Sequence, residues 1–257
     1  MRLMVVFSTP REILLPWNYL DWLRGLIYRL IGAKSQNFAS WLHQEGVSLK
    51  NKRYKPFNFS LLYPSNKKAI KKGLLVKGEI KWFISSPVQL ICQLLAEQLL
   101  HFPSIKLGPH EVEILQVLSI SNPSFPQTSH FSTLSPISVS TGFKQGEKFL
   151  KRYLSPDEEL FPKLLKDNLL NKAEAFWLPP GELDIEVKPP FRSRLFKIKG
   201  IDVRGWDMEL IIRGDNHLIN LAYDVGLGEH NACGFGMLSF KQDLPGGESL
   251  ANHHPIL

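Results

Sequence analysis

The chain has 257 residues, enough for one large domain or two small ones, and 44% of them are hydrophobic, so we expect a well-packed core. Two cysteines, Cys92 and Cys233, are too few for a disulfide framework or a zinc site and suit a reducing cytoplasm, where we expect the protein to reside. No segment is apolar over a sufficient length to predict a membrane span or a signal peptide.

Hydrophobic periodicity predicts a first half in the order strand, helix, strands, helix, strand, with one additional helix. The predicted helices are Tyr19–Ile31, Gln36–His43 and Val88–His101, and the predicted strands are Leu3–Ser8, Phe57–Tyr63, Leu74–Val76, Ile80–Ile84 and Val112–Ile120. This order is close to a ferredoxin-like unit.

A second αβ unit of similar size follows a polar segment at Asn122–His130, whose two prolines make it the best candidate for a linker. We therefore place an N-terminal domain at 1–124 and a C-terminal domain at 125–257. The predicted elements of the second unit are a strand at Thr133–Ser140, a helix at Pro156–Ala175, strands near Leu183–Val187, Phe196–Lys199 and Trp206–Arg213, and strands on both sides of a glycine-rich loop. The tail after Pro245 is predicted to be frayed.

The net charge of +7 is concentrated in the first half. Residues 1–125 carry sixteen Lys and Arg against seven Asp and Glu, and the span from Gly46 to Gly78 carries nine basic residues and no acidic one. Such a zone attracts polyanions. Four of its cations alternate with aromatic residues, which suits unpaired RNA because rings stack on bases and cations meet phosphates. These four are Lys50, Lys52, Arg53 and Lys55.

A second basic group stands in the otherwise acidic second half. Its alternating pattern predicts charges on one face of a strand. That pattern is typical of a solvated edge strand that discourages aggregation. The group consists of Lys188, Arg192, Arg194, Lys197 and Lys199.

The glycine-rich loop near the C-terminus contains two Gly-x-Gly pairs, Gly226 with Gly228 and Gly234 with Gly236. Because glycine permits positive φ and close approach of the backbone, the loop is either a tight turn or a backbone that lies against a bulky anionic ligand. It is not the dinucleotide-binding fingerprint, since Asn231 stands where the third glycine should be and a strand-like segment follows. A nucleotide-binding enzyme is therefore the weaker interpretation.

Several short motifs occur in a fixed order along nearly the whole chain. They are Pro16-Trp17-Asn18-Tyr19, Leu23-Arg24-Gly25-Leu26-Ile27-Tyr28, Trp41-Leu42-His43, Phe57-Asn58-Phe59-Ser60, Thr133-Leu134-Ser135-Pro136-Ile137, and Val225-Gly226-Leu227-Gly228 with Gly234-Phe235-Gly236. Together with the two αβ units and the basic first half, they resemble the repeat-processing endoribonucleases of CRISPR systems, which belong to the RAMP superfamily. The resemblance implies an α+β fold of two tandem ferredoxin-like (RRM-like) domains with a C-terminal glycine-rich loop.

The resemblance also implies a reaction. Members cut repeat RNA without a metal or another cofactor, through attack of the RNA's own 2′-hydroxyl, and leave a 2′,3′-cyclic phosphate and a 5′-hydroxyl. Matching the motifs places the catalytic tyrosine at Tyr28, the histidine at His43 and the lysine at Lys55, with Lys50 and Lys52 as close rivals. Histidine suits proton transfer near neutral pH, whereas tyrosine, with an ordinary pKa near 10, is a poor base. The resemblance leaves the assignment of acid and base open.

The residues alone allow plainer interpretations of the same positions. Tyr28 lies roughly 100° from the apolar stripe of its helix, on the polar side beside Arg24, where an exposed tyrosine is common. His43 falls at the end of its helix, where a histidine can simply favour the negative end of the helix dipole.

RNA contact follows from the resemblance for a larger set. It comprises Lys50, Lys52, Arg53, Arg192, Arg194, Lys197, Lys199, Gly226, Gly228, His230, Gly234 and Gly236. The implied partners are precursor and mature CRISPR RNA, with effector-complex subunits or a second copy of the chain as further candidates, and no membrane. The alternative function is a repeat-RNA-binding scaffold subunit that does not cleave.

Overall fold

The computed structural model describes residues 1–146 and 148–241, so the tail predicted after Pro245 lies outside the described residues. These residues form two large antiparallel sheets, each packed against helices, and two separate two-stranded hairpins. In these residues no helix has the length and apolar character needed to cross a membrane.

The first sheet uses residues 2–120. Its elements are β1 (Arg2–Pro16), α1 (Leu20–Lys34), α2 (Gln36–Gln44), β2 (Val47–Leu49), β3 (Lys52–Tyr54), β4 (Asn58–Phe59), β5 (Tyr63–Ile70), β6 (Gly73–Ser85), α3 (Gln89–His101), β7 (Ser104–Leu107) and β8 (His110–Ile120). The strand order is β4-β6-β1-β8-β7, with β5 also paired to β6, and β2 and β3 form a separate hairpin. With β4 and β5 counted as one strand position, this is the βαββαβ ferredoxin-like arrangement.

The second sheet repeats that arrangement. Its elements are β9 (Thr128–Thr133), β10 (Ser140–Gln145), β11 (Lys148–Tyr153), α4 (Leu160–Ala175), β12 (Leu183–Ile198), β13 (Ile201–Gly214), α5 (Asn216–Val225), a 3₁₀ turn (Asn231–Cys233) and β14 (Leu238–Phe240). The order is β12-β13-β9-β14, and β10 and β11 form their own hairpin. The glycine-rich loop, residues 226–236, is therefore the connection from α5 to β14. This topology confirms the predicted α+β fold of two ferredoxin-like units.

Helix α1 follows its sequence pattern closely. All five residues of the predicted apolar stripe are buried: Leu20, Leu23, Ile27, Leu30 and Ile31. The next helix begins at a serine cap, where the hydroxyl of Ser35 accepts a hydrogen bond from the amide of Phe38 at 3.3 Å. These two helices carry the residues that matter most below.

The segment before the glycine-rich loop was predicted as a strand, and this prediction is wrong because residues 216–225 form helix α5. Short apolar runs fit either structure. Here Leu218, Ile219, Ala222 and Val225 recur at helical spacing and are buried on one side. The helix ends at Gly226, whose φ of 78° is readily adopted only by glycine.

The strand predicted at 133–140 is also misplaced. The real strand, β9, ends at Thr133 and begins inside the predicted linker. Pro136 has no N–H to offer a ladder. Beyond it, Ile137 and Ser138 make only isolated bridges, to Trp206 and Glu229.

Some strands predicted as separate pieces are continuous. Strand β6 passes through an irregularity where Gly78 adopts a φ of 85°, and β12 passes through one between Lys188 and Arg192. By contrast, the predicted strand Phe57–Tyr63 divides into β4 and the start of β5. Irregular ladders of this kind leave little trace in a local sequence pattern.

The two domains are joined through a buried arginine in β1. Arg2 is 2% exposed, and its guanidinium lies 3.4 Å from the centroid of the Tyr223 ring. Its two terminal nitrogens donate to the carbonyl oxygens of Tyr223 and Leu238, each at 2.8 Å. Because these residues flank the glycine-rich loop, Arg2 fixes that loop against the first domain.

Candidate active site

Tyr28, His43 and Lys55, which the sequence motifs point to, meet in the first domain. Tyr28 lies on α1, His43 in the last turn of α2, and Lys55 directly after the β2–β3 hairpin. The rings of Tyr28 and His43 pack edge to face with centroids 4.9 Å apart. The Lys55 ammonium donates a hydrogen bond to the main-chain carbonyl of His43 at 2.9 Å. A hydroxyl, an imidazole and an ammonium group thus share one small region of surface.

Tyr28 is half-buried rather than fully exposed, since its ring also packs edge to face against Phe57 at 5.8 Å between centroids. Burial raises the pKa of Tyr28 to about 12; Cys233 adds to the effect and the Arg24 guanidinium opposes it. The Arg24 guanidinium is held by Asp21 at 2.9 Å. The Tyr28 hydroxyl therefore stays protonated near neutral pH and acts as a hydrogen-bond donor.

Lys55 is also half-buried, whereas the His43 side chain is exposed to solvent. Burial lowers the pKa of Lys55, Arg53 lowers it further, Glu45 opposes the shift, and Lys199 contributes a smaller lowering. Lys199 belongs to the β12–β13 turn of the second domain, so both domains bring positive charge to this site. That charge is suited to a crowded phosphate.

The rival lysines occupy different positions. Lys50 is exposed in the hairpin turn with a φ of 53°, and Lys52 is exposed on β3. In the described part of the chain, Lys55 is the one of the three whose ammonium is hydrogen bonded to His43.

A cleft of about 410 Å³ runs between the β2–β3 hairpin and the second domain. On the side of the second domain, its walls are helix α4 and the glycine-rich loop. The residues that line it are Lys52, Arg53, Tyr54, Lys55, Asn168, Lys172, Phe176, Val225, Gly228, Glu229, His230, Asn231, Ala232 and Cys233. Basic side chains outnumber acidic ones here, and Lys55 joins the cleft to the Tyr28–His43 region. A more open groove lies on the other side of His43, against α1.

The four loop glycines are buried with positive φ between 68° and 87°. A Cβ on Gly234 would lie 2.7 Å from the Phe59 ring, and one on Gly226 would collide with the Asn58 amide. A Cβ on Gly236 would lie 2.6 Å from the side-chain amide nitrogen of Asn231. Close packing within the protein accounts for glycine at these three positions, and RNA contact there stays a prediction.

Gly228 and His230 do line the cleft. His230 is half-buried with a φ of 61°, and its Nε2 lies 3.5 Å from the Lys151 ammonium. Burial lowers the pKa of His230, Lys151 lowers it further, and Glu229 opposes the shift. The neutral imidazole is therefore favoured at neutral pH, and it can exchange hydrogen bonds with a ligand.

The basic strand was predicted to place its charges on one face, and the structure corrects this. Arg194 is 4% exposed and its Nε lies 2.8 Å from a carboxylate oxygen of Asp207, so it faces inward and is removed from the RNA-contact set. Arg192 and Lys197 are exposed on β12, and Lys199 lies in the following turn with a φ of 49°. Arg194 and Lys197 are three residues apart in a ladder that is regular from Arg192 to Ile198, so they lie on opposite faces of β12.

Lys172 was missed by the sequence analysis. It lies on α4, is 3% exposed, and donates to the carbonyls of Gly226 at 2.9 Å and Gly228 at 2.8 Å and to Oδ1 of Asn231 at 2.7 Å. A sequence signal existed, because Lys172 continues the spacing of the apolar residues Leu165 and Leu169 onto the buried face of the helix.

Two family models match the chain. Residues 14–117 match the model "CRISPR-associated protein Cas6, N-terminal", and residues 120–240 match "CRISPR associated protein Cas6, C-terminal". A Pyrococcus furiosus protein named "CRISPR-associated endoribonuclease Cas6" is 32% identical over 237 residues, which cover 90% of this chain and 85% of the relative. The chain belongs to the Cas6 family.

Other members of the Cas6 family support this assignment. A Methanocaldococcus jannaschii protein named "CRISPR-associated endoribonuclease Cas6 1" is 29% identical, with 95% of this chain and 94% of the relative covered. A solved structure described as "Characterization of a Cas6-related gene from Pyrococcus furiosus" superposes with a TM-score of 0.83 at 24% identity, over 95% of this chain and 99% of that one. That second likeness shows the same two-domain fold.

Proposed function

We propose that the protein is a metal-independent endoribonuclease that cuts CRISPR repeat RNA to release mature guide RNA. The observation that carries this proposal is the meeting of Tyr28, His43 and Lys55 beside a basic cleft in a chain of the Cas6 family. Relatives named as endoribonucleases, similar along most of their length, support the substrate class.

The chemistry is an internal transesterification of RNA. The 2′-oxygen attacks the neighbouring phosphorus, a 2′-O–P bond forms, and the P–O5′ bond breaks to leave a 2′,3′-cyclic phosphate and a 5′-hydroxyl. One proton must leave the 2′-oxygen and one must reach the departing 5′-oxygen. His43 carries the principal proton transfer, since its imidazole is exposed to the groove where the RNA would lie.

Tyr28 and Lys55 have complementary parts. With its pKa raised to about 12, Tyr28 keeps its proton and orients the reacting oxygen by donating a hydrogen bond. Lys55 is held at the His43 carbonyl, where its ammonium stabilises negative charge that develops on the phosphorane. A preorganised cation of this kind requires no movement at the moment of reaction.

The RNA follows the cleft between the domains and passes Lys55 into the groove that Tyr28 and His43 line. Lys52 and Arg53 on the hairpin supply phosphate contacts from one wall, and Gly228 and His230 face them from the glycine-rich loop. Lys50, Arg192, Lys197 and Lys199 extend the positive surface. The proposed domains remain 1–124 and 125–257, and effector subunits or a second copy of the chain remain proposed partners.

The test is incubation of a labelled precursor with several repeats in EDTA. We expect one cut per repeat, 5′-hydroxyl ends that polynucleotide kinase can label directly, and no cut when the nucleotide that provides the attacking 2′-hydroxyl is 2′-deoxy. Loss of cleavage in EDTA that added Mg²⁺ restores would contradict metal independence. Tight binding of an uncut repeat would favour the scaffold alternative.

A further inference from the structure

The backbone of the glycine-rich loop is hydrogen bonded to the ammonium group of Lys172 and to the side-chain amide of Asn231. Lys172 donates to the carbonyls of Gly226 and Gly228 and to Oδ1 of Asn231. The Asn231 amide then donates to the carbonyls of Leu227 at 2.9 Å and Phe235 at 3.0 Å. Both arms of the loop are therefore tied to a single side chain of α4, and the stretch between them faces the cleft.

This arrangement is costly to the fold. Burial lowers the pKa of Lys172 to about 7, because an ammonium group removed from water loses its hydration. The Glu229 carboxylate opposes this shift. Three N–H bonds of the ammonium match the three oxygen acceptors around it. Removal of the lysine would relieve this cost but would leave three buried oxygens without a donor, so the two effects on stability oppose each other and the hydrogen bonds serve shape more than net stability.

We propose that Lys172 is a positioning residue that holds the glycine-rich loop in its RNA-binding conformation without touching the RNA. The inference rests on the proposed function, since the loop is taken to contact repeat RNA. Lys172 acts through Gly228 and Asn231, which line the cleft on the side opposite Lys52 and Arg53. The hydrogen-bond partners described for Lys172 all lie in the second domain, whereas Tyr28, His43 and Lys55 lie in the first, where Lys55 lines the same cleft.

The experiment compares Lys172→Met with Lys163→Met. Methionine keeps an unbranched side chain of similar length but removes the donors. Lys163 is exposed on the same helix, two and a half turns away, so its replacement controls for the loss of one charge. For each protein we would measure the Tm, amide hydrogen exchange of residues 226–236 without RNA, the Kd for repeat RNA at several salt concentrations, and the single-turnover cleavage rate at saturating RNA.

For Lys172→Met we expect faster exchange in the loop and a Tm close to that of the wild type, because removal of the buried charge offsets the three lost hydrogen bonds. The Kd should rise about tenfold or more relative to the control, because lost hydrogen bonds to buried carbonyls free the loop to move. The saturated cleavage rate should stay within about threefold of wild type, since the groups that transfer protons are untouched. The slope of log Kd against log salt concentration should not change in Lys172→Met. Replacement of a residue that touches phosphate, such as Lys52, should reduce the magnitude of that slope by about 0.7 to 1.

Three results would overturn the proposal: a Kd equal to that of the control, unchanged loop exchange, or a salt slope reduced as for a phosphate contact. If Lys172→Met does not fold, Asn231→Ala tests the same contact from a half-exposed loop position. Faster loop exchange without RNA together with weaker RNA binding would then support the proposal, and wild-type loop exchange would refute it. Failure of the wild type to bind any repeat RNA would overturn the proposed function instead, while loop exchange would still decide whether Lys172 orders the loop.

Discussion

Replacement of His43 by alanine should separate chemistry from stability and from RNA binding. The side chain is exposed, so the free energy of unfolding should change by no more than about 0.5 kcal/mol, a Tm shift of about 1 to 2 °C. Lys55 is bound to the main-chain carbonyl of His43, and that contact survives the loss of the imidazole. The cleavage rate should fall by about 10² to 10⁴, the usual contribution of one proton-transfer group.

The assay is single-turnover cleavage of one labelled repeat with protein in excess, beside a filter-binding Kd and a melting curve. His101→Ala is the matched control, because His101 is also exposed in the last turn of a helix and packs edge to face on an aromatic ring. A rate within about threefold of wild type for His43→Ala, or an equal loss for His101→Ala, would refute the reasoning. A large rise in Kd would refute the separation of binding from chemistry.

Tyr28→Phe keeps both ring contacts and removes the hydroxyl, so the saturated rate should fall about 10- to 100-fold at unchanged Kd; an unchanged rate in the same assay would contradict its role. Arg194→Met leaves the Asp207 carboxylate buried without its ion-pair partner, so urea unfolding should show a free energy of unfolding lower by about 3 to 5 kcal/mol. A decrease of less than about 1 kcal/mol would contradict this prediction. Because Lys172 has a lower pKa in the folded chain than in the unfolded one, the unfolded chain holds the extra proton above pH 7. Stability of wild type relative to Lys172→Met should therefore rise by about 2 kcal/mol between pH 7 and 9 in urea titrations, and a flat or falling difference would contradict the shift.

Sequence patterns predicted the helices and strands in which apolar residues recur at a regular local spacing. The predicted apolar stripe of α1 is buried in the structure. The motif resemblance selected Tyr28, His43 and Lys55 from three separate segments, and the structure places them in contact. Resemblance was needed for that step, because periodicity describes one helix or strand and says nothing about which side chains meet between them.

Other features depend on contacts between distant segments. Helix α5 was misassigned because a short apolar run fits a strand as well as a helix, and the packing of the second domain decides between them. Arg194 lies on the inward face of β12 beside Asp207 of the neighbouring strand, and only the pairing of the two strands shows which face of β12 is buried. The partners of Lys172 lie 54 to 59 residues away along the chain, so its role required the fold.

The hydrogen bonds of Arg2 have a consequence for how RNA can enter. The first strand of one domain holds both ends of a loop that belongs to the other, through carbonyls 221 and 236 residues away in sequence. Pulling these segments away from β1 would strip a buried guanidinium of its acceptors, so the wall of the cleft that the glycine-rich loop forms is held against the first domain before any RNA arrives. Under the proposed function, a repeat must straighten, bend or open to reach the loop where Arg2 holds it, and the ease of that deformation becomes part of how one repeat is distinguished from another.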